Sequence, residues 1–149
     1  MEIRTRTFGP IEIDEQRVVR LTEPMPGFPQ LKRFAVLDPD PEGPFKWFQS
    51  VDSEGVCFLL ADPRSFFPDY RVELPSSRLS DLELEGDDAG VAVILTVHGD
   101  PSTATANLLA PLVFNIRKGL GRQVILEGSG HPVRARVFEP VASLACQGA

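Results

Sequence analysis

Apolar and polar positions alternate along most of the chain, in short runs that end at proline, glycine or aspartate. A period of two sends successive side chains to opposite faces, so each run reads as a half-buried β-strand. The predicted strands are Glu2 to Thr7, Ile11 to Ile13, Arg17 to Thr22, Arg33 to Leu37, Phe45 to Gln49, Val56 to Ala61 and Tyr70 to Leu74. Val91 to His98, Thr103 to Leu109, Leu112 to Asn115, Arg122 to Leu126 and Val133 to Phe138 complete the set. The intervals are turn chemistry: FGP, MPGFP, DPDPEGP, ADP, HGDPS and GSGHP. Ser76 to Leu82 (SSRLSDL) follows a proline, opens with capping-type serines and is predicted helical, with a second short helix around Phe66. No long amphipathic helix is available to cross over a parallel sheet. The expected fold is therefore mostly β: a single-domain, antiparallel, β-barrel-like fold of many short strands with one or two short helices, closed so that no long edge is exposed.

The stretch TANLLAPLVFN, Thr105 to Asn115, breaks the pattern. Proline cannot donate to a strand ladder, so Pro111 marks a kink or bulge that re-aims the chain at a barrel corner. Asn107 and Asn115 are placed to pair the backbone groups that such a kink leaves open. The following RKGLG carries two glycines able to take positive φ, which predicts a hairpin into RQVIL.

Composition narrows the function more than the fold. The chain has 149 residues, enough to bury roughly two thirds of its unfolded surface without a metal or disulfide. Its formal net charge of −6 runs against nucleic-acid binding, which needs clustered Lys and Arg. The acidic run DLELEGDD, Asp81 to Asp88, reads as a solvated face or as a surface that steers a basic protein. No apolar stretch reaches the eighteen or so residues of a membrane span, no leader pattern opens the chain, and cytoplasm is the expected compartment. Cys57 lies in the apolar GVCFLLA and reads as a small core residue, Cys146 lies in the terminal LACQGA, and the two share no metal-ligand spacing.

Catalytic constellations are thin. His98 and His131 lack metal-type neighbours, so no metal site is expected. His98, Asp100 and Ser102 crowd one turn, too close in sequence for triad geometry, and Gly128 to Gly130 (GSG) is not a nucleophile elbow. A hydrolase using Ser102 or Ser129 is the weakest reading. Asp62 and Asp69 in ADPRSFFPDY suit turn chemistry better than acid–base work, and Gly119 to Gly121 lacks the lysine and helix of a phosphate loop. Aromatic residues are more telling. Phe45 and Trp47 share one face of a strand and Phe48 takes the other; Phe66, Phe67 and Tyr70 gather at a proline turn. One of these faces is core, and the other is a candidate protein-binding patch.

Six short motifs occur in order: PGF at Pro26 to Phe28, WFQS at Trp47 to Ser50, FLLADP at Phe58 to Pro63, PDY at Pro68 to Tyr70, TANLLAPLVFN, and RQVIL at Arg122 to Leu126. Together they resemble the flagellar assembly factor FliW family over nearly the whole chain to about Phe138. Met25 and Phe48 stand where leucine is usual. The resemblance implies a domain over residues 1–138 with a compact barrel-like fold, no catalysis and no cofactor; the tail over 139–149 has no counterpart in it and is expected to be flexible. It also implies two cytoplasmic protein partners bound in mutual exclusion: flagellin, and the small RNA-binding translational repressor CsrA, which the family antagonises. An acidic protein gains steering toward a basic repressor, and an apolar groove accepts an amphipathic flagellin helix. The candidate contact residues on this reading are Phe48, Gln49, Asp62, Phe66, Phe67, Asp69, Tyr70, Asn107, Pro111 and Asn115. The alternative, from a different class, is a small barrel holding a flavin or another small ligand; its only approach to a phosphate-binding cluster is Arg117, Lys118 and Arg122.

Overall fold

The computed structural model describes residues 1–38, 42–72, 79–84, 89–97 and 99–138. Its strands are β1 (Glu2–Thr5), β2 (Gly9–Glu12), β3 (Val18–Leu21), β4 (Arg33–Leu37), β5 (Phe45–Ser50) and β6 (Cys57–Ala61), then β7 (Ala89–Thr96), β8 (Thr105–Ala106), β9 (Leu112–Asn115), β10 (Leu120–Gln123) and β11 (Ala135–Arg136). β1 and β2 form a separate hairpin, and the other nine run in the order β11-β8-β7-β6-β5-β4-β3-β10-β9. The first half of β7, Ala89 to Ala92, also pairs with β9, which joins the ends and closes a seven-stranded barrel. Every pairing is antiparallel except β3–β10, where Leu120 and Gly121 lie parallel to Arg20 and Leu21.

Alternation sorts the side chains into three cores. Val19, Leu21, Phe34, Phe48, Leu60 and Leu112 point into the lumen. There the Phe34 and Phe48 rings stack at 4.5 Å and 3°, Phe114 meets Phe48 edge-on at 5.7 Å, and Phe58 lies 6.0 Å from Phe34. Gly121 makes room for this packing: a Cβ there would stand 2.9 Å from Val19 Cγ1 and 3.0 Å from the Phe114 ring. Aromatic rings thus pack against one another in the lumen. On one outer flank Ala61, Val93, Leu95, Val113 and Leu120 are covered by Tyr70, Leu79, Leu82, Val124, Leu126 and Val137. On the other, Ile3 and Ile13 of the amino-terminal hairpin region pack on Ala35, with Ile11, Val18 and Leu37 around them.

Several predicted elements are shorter than the alternation that suggested them. Of Arg122 to Leu126 only the start is strand, and of Thr103 to Leu109 only Thr105–Ala106. Residues 70–72 of the predicted Tyr70 to Leu74 strand carry no ladder, and residues 73 and 74 lie outside the described residues. The predicted helices reduce to single 3-10 turns: Pro63–Ser65, just ahead of Phe66, and Ser80–Leu82, while residues 76–78 lie outside the described residues. Further 3-10 turns occupy Glu15–Arg17 and Pro101–Thr103. Asp14 and Asp62 cap the turns that follow them by accepting the Gln16 and Arg64 amides at 2.9 and 3.0 Å. His98, Cys146 and residues 139–149 lie outside the described residues. No helix among the described residues is long and apolar enough to cross a membrane.

Candidate partner-binding surfaces

The kink at Thr105 to Asn115 is built as a wide bulge. From Ala106 to Leu112 the chain takes six steps while its partner β7 takes three, from Leu95 to Ala92. The displaced backbone groups are nevertheless paired. Asn107 Oδ1 accepts the Ala110 amide at 3.0 Å. The carbonyl of Leu108 accepts from the Tyr70 hydroxyl at 2.6 Å, that of Leu109 from the Leu126 amide at 2.8 Å, that of Ala110 from Gln123 Nε2 at 3.1 Å and that of Pro111 from the Val124 amide at 2.9 Å. Asn115 works elsewhere. Its Nδ2 donates to the carbonyls of Leu82 and Glu83 at 2.8 and 3.2 Å, and its Oδ1 accepts the Lys118 amide at 3.2 Å. It fastens the Ser80–Leu82 turn, which ends in Glu83 at φ 52°, to the β9–β10 hairpin. In that hairpin Gly119 takes φ 65°, whereas Gly121 serves close approach inside the barrel.

The candidate contact residues divide by burial. Phe48, Gln49, Pro111 and Asn115 are fully buried and present no surface to a partner in this fold. Gln49 instead spreads its amide nitrogen over the carbonyls of Ser50, Ser53, Glu54 and Val56 at 3.1 to 3.4 Å, organising the β5–β6 turn. Tyr70 is buried as well, and burial pushes its phenol up to about 12. Asp69 is exposed; Asp62, Phe66, Phe67 and Asn107 are half-exposed. Phe66 contacts Phe45 at 5.5 Å and the exposed Phe138 at 5.7 Å, so the aromatic group at the proline turn is both core rim and surface.

The polar residues considered for chemistry hold turns or pair with one another. Asp100 accepts the Ser102 amide at 2.9 Å, and that bond holds its carboxyl below the usual range. His131 Nε2 lies 3.2 Å from the Arg71 carbonyl and its ring meets Tyr70 edge-on at 4.7 Å, while the His131 amide bonds Ser129 Oγ at 3.2 Å. Lys118 pairs with Glu83 at 3.1 Å, and Arg122 lies 2.7 Å from Glu23 and 3.3 Å from Asp81, so the cluster considered for phosphate is largely neutralised. Cys57 is half-buried, with its thiol pushed up by burial. No group of three or more potential metal ligands occurs among the described residues.

A second surface joins Trp47, on one of the two strand faces weighed as a patch, to Phe8, which was not singled out from the sequence. The hairpin turn TRTFG holds Phe8 outward, 43% exposed, with its ring edge-on to Trp47 at 6.1 Å. Thr5 Oγ1 fixes the turn, accepting from the Phe8 amide at 2.8 Å and donating to the Gly9 carbonyl at 2.9 Å. The Arg6 amide ties it to the Glu54 carbonyl at 3.0 Å. Between Phe8, Trp47, Ile11, Val36, Arg17 and Asp38 lies an open cleft of about 480 Å³. The available signal was a phenylalanine inside a turn between two strands, a place where polar residues are usual.

Comparison with known proteins agrees with this architecture. The family model described as FliW protein matches residues 2–137. Flagellar assembly factor FliW of Geobacillus sp. (strain WCH70) is 41% identical over 139 residues, covering 93% of this chain and 96% of its own, and that of Geobacillus kaustophilus (strain HTA426) is 42% identical over the same length. A crystal structure of the flagellar assembly factor FliW superposes with a TM-score of 0.86 at 39% identity, covering 94% of this chain and 99% of that one. With a matching family model, relatives near 40% identity and the same closed barrel, the chain belongs to the FliW family of flagellar assembly factors.

Proposed function

We propose that this flagellar assembly factor works without catalysis or cofactor, as a cytoplasmic binding protein that holds flagellin and, when free of it, binds and antagonises a CsrA-type repressor. Flagellin in excess then keeps the protein occupied and leaves the repressor active; export of flagellin frees the protein and relieves the repression of flagellin translation. Family membership over residues 2–137 carries the reading. Two physical features support it. A net charge of −6 disfavours direct RNA binding and favours a basic protein partner. The half-exposed aromatic group of Phe66, Phe67 and Phe138, with Asp62 and Asp69 beside it in sequence, offers an apolar surface with acidic neighbours of the kind that receives an amphipathic helix.

Titration calorimetry with the flagellin and the CsrA-type repressor of the same organism tests it. Micromolar or tighter binding to each is expected; heat from neither would end this reading.

A further inference from the structure

The cleft beside the amino-terminal hairpin has an acceptor without a donor. Asp38 lies on its lining with a side chain only 10% exposed. One carboxylate oxygen, Oδ2, takes Lys46 Nζ at 2.8 Å; the other, Oδ1, is buried and receives no hydrogen bond from the described residues. An ionised carboxylate has about four acceptor positions, and a buried one without a donor is unfavourable. Neighbouring acids are already engaged: Glu12 by the amino group of Met1 at 2.7 Å, Asp14 by the Gln16 amide. The cation on the lining, Arg17, reaches toward the Val36 carbonyl at 3.5 Å. Beside this acid stands the Phe8–Trp47 pair, held by a turn that Thr5 Oγ1 braces from within and the Glu54 carbonyl from outside. A fixed, exposed aromatic next to a desolvated carboxylate resembles the centre of a protein interface, where an apolar anchor and a charge-assisted bond enter together.

We propose that this cleft is the docking site for a basic polypeptide surface that presents an arginine or lysine beside an apolar side chain. The cation supplies the donor missing at Asp38 Oδ1 as the aromatic pair closes over its stem. Resting on the reading above, this assigns the cleft to the repressor rather than to flagellin, because the acceptor left without a donor is a carboxylate oxygen, for which a cationic side chain is the strongest donor.

Trp47 is the only tryptophan in the chain, so its emission reports the cleft directly. The intact protein is titrated with the repressor, by calorimetry and by emission, the signal being taken as the difference from Trp47→Phe. A shift in Trp47 emission at saturation is expected. Asp38→Asn and Phe8→Ala are each expected to weaken binding by about tenfold, with circular dichroism and melting temperature unchanged for Phe8→Ala. Calorimetric binding with steady emission and unaltered affinity of both variants would overturn the cleft while leaving the repressor partnership intact. A response of Trp47 to flagellin but not to repressor would overturn the assignment of the occupant. Failure of the unaltered protein to bind repressor at all would overturn both.

Discussion

Tyr70 is the only tyrosine of the chain, and it stakes one carbonyl of the bulge in place. Its phenol is raised by burial from near 10 to about 12, so the hydroxyl stays protonated in the folded state where it would ionise in the unfolded one. The stabilisation is fully present below about pH 10 and drains away as the pH rises through about 12. Alkaline spectrophotometric titration reads this residue alone and is expected to show late ionisation that coincides with loss of structure. Tyr70→Phe should flatten that limb and, at neutral pH, cost about 1–3 kcal/mol by leaving the Leu108 carbonyl without its donor, measured by denaturant unfolding. Phe48, stacked on Phe34 and fully buried, is expected to cost about 3–5 kcal/mol when changed to alanine, read in the same assay.

Bulge and hairpin show what a strand pattern can and cannot say. Val124 and Leu126 are buried alternately, as in a strand, and their amides carry the β9–β10 register on to the carbonyls of Pro111 and Leu109, although the regular ladder has already ended at Gln123 and Leu112. Alternation therefore reports which face is buried, and the strand ends wherever the partner bends away. The kink itself was legible, because Pro111 removes a donor and Asn107 lies close enough in sequence to replace a bond. Asn115 was not: the partners of its Nδ2, Leu82 and Glu83, are more than thirty residues away, and nothing local marks them. Gly121 was misassigned to a turn for the same reason, since its neighbours Val19 and Phe114 meet it only across the lumen. Gly121→Ala should force these side chains apart and cost about 1–3 kcal/mol, measured as a lower denaturation midpoint with an unchanged slope.

For the whole molecule, closure follows from the need to cover strand edges, and what the sequence leaves hidden is which strands meet at the seams. A mostly β, barrel-like class follows from short alternating runs and absent helices, but the two seams, β7–β9 and the parallel β3–β10, join segments distant along the chain. Once closed, the barrel buries five of the residues that motif clustering had put forward for partner contact, Phe48, Gln49, Tyr70, Pro111 and Asn115, and leaves half-buried Trp47, whose strand face was one of the two weighed as a patch, beside an exposed Phe8 that went unremarked. Most of WFQS and TANLLAPLVFN consequently serves the folding of the barrel, and the surfaces proposed for partners lie outside its lumen, at Phe66 and at Phe8. The central claim is that two protein partners exclude each other. Its most direct test is a competition titration, in which flagellin is added to the protein saturated with the CsrA-type repressor of the same organism while repressor release is followed. Stoichiometric release is expected, with each partner's apparent affinity falling as the other is raised. A stable ternary complex with both affinities unchanged would contradict it.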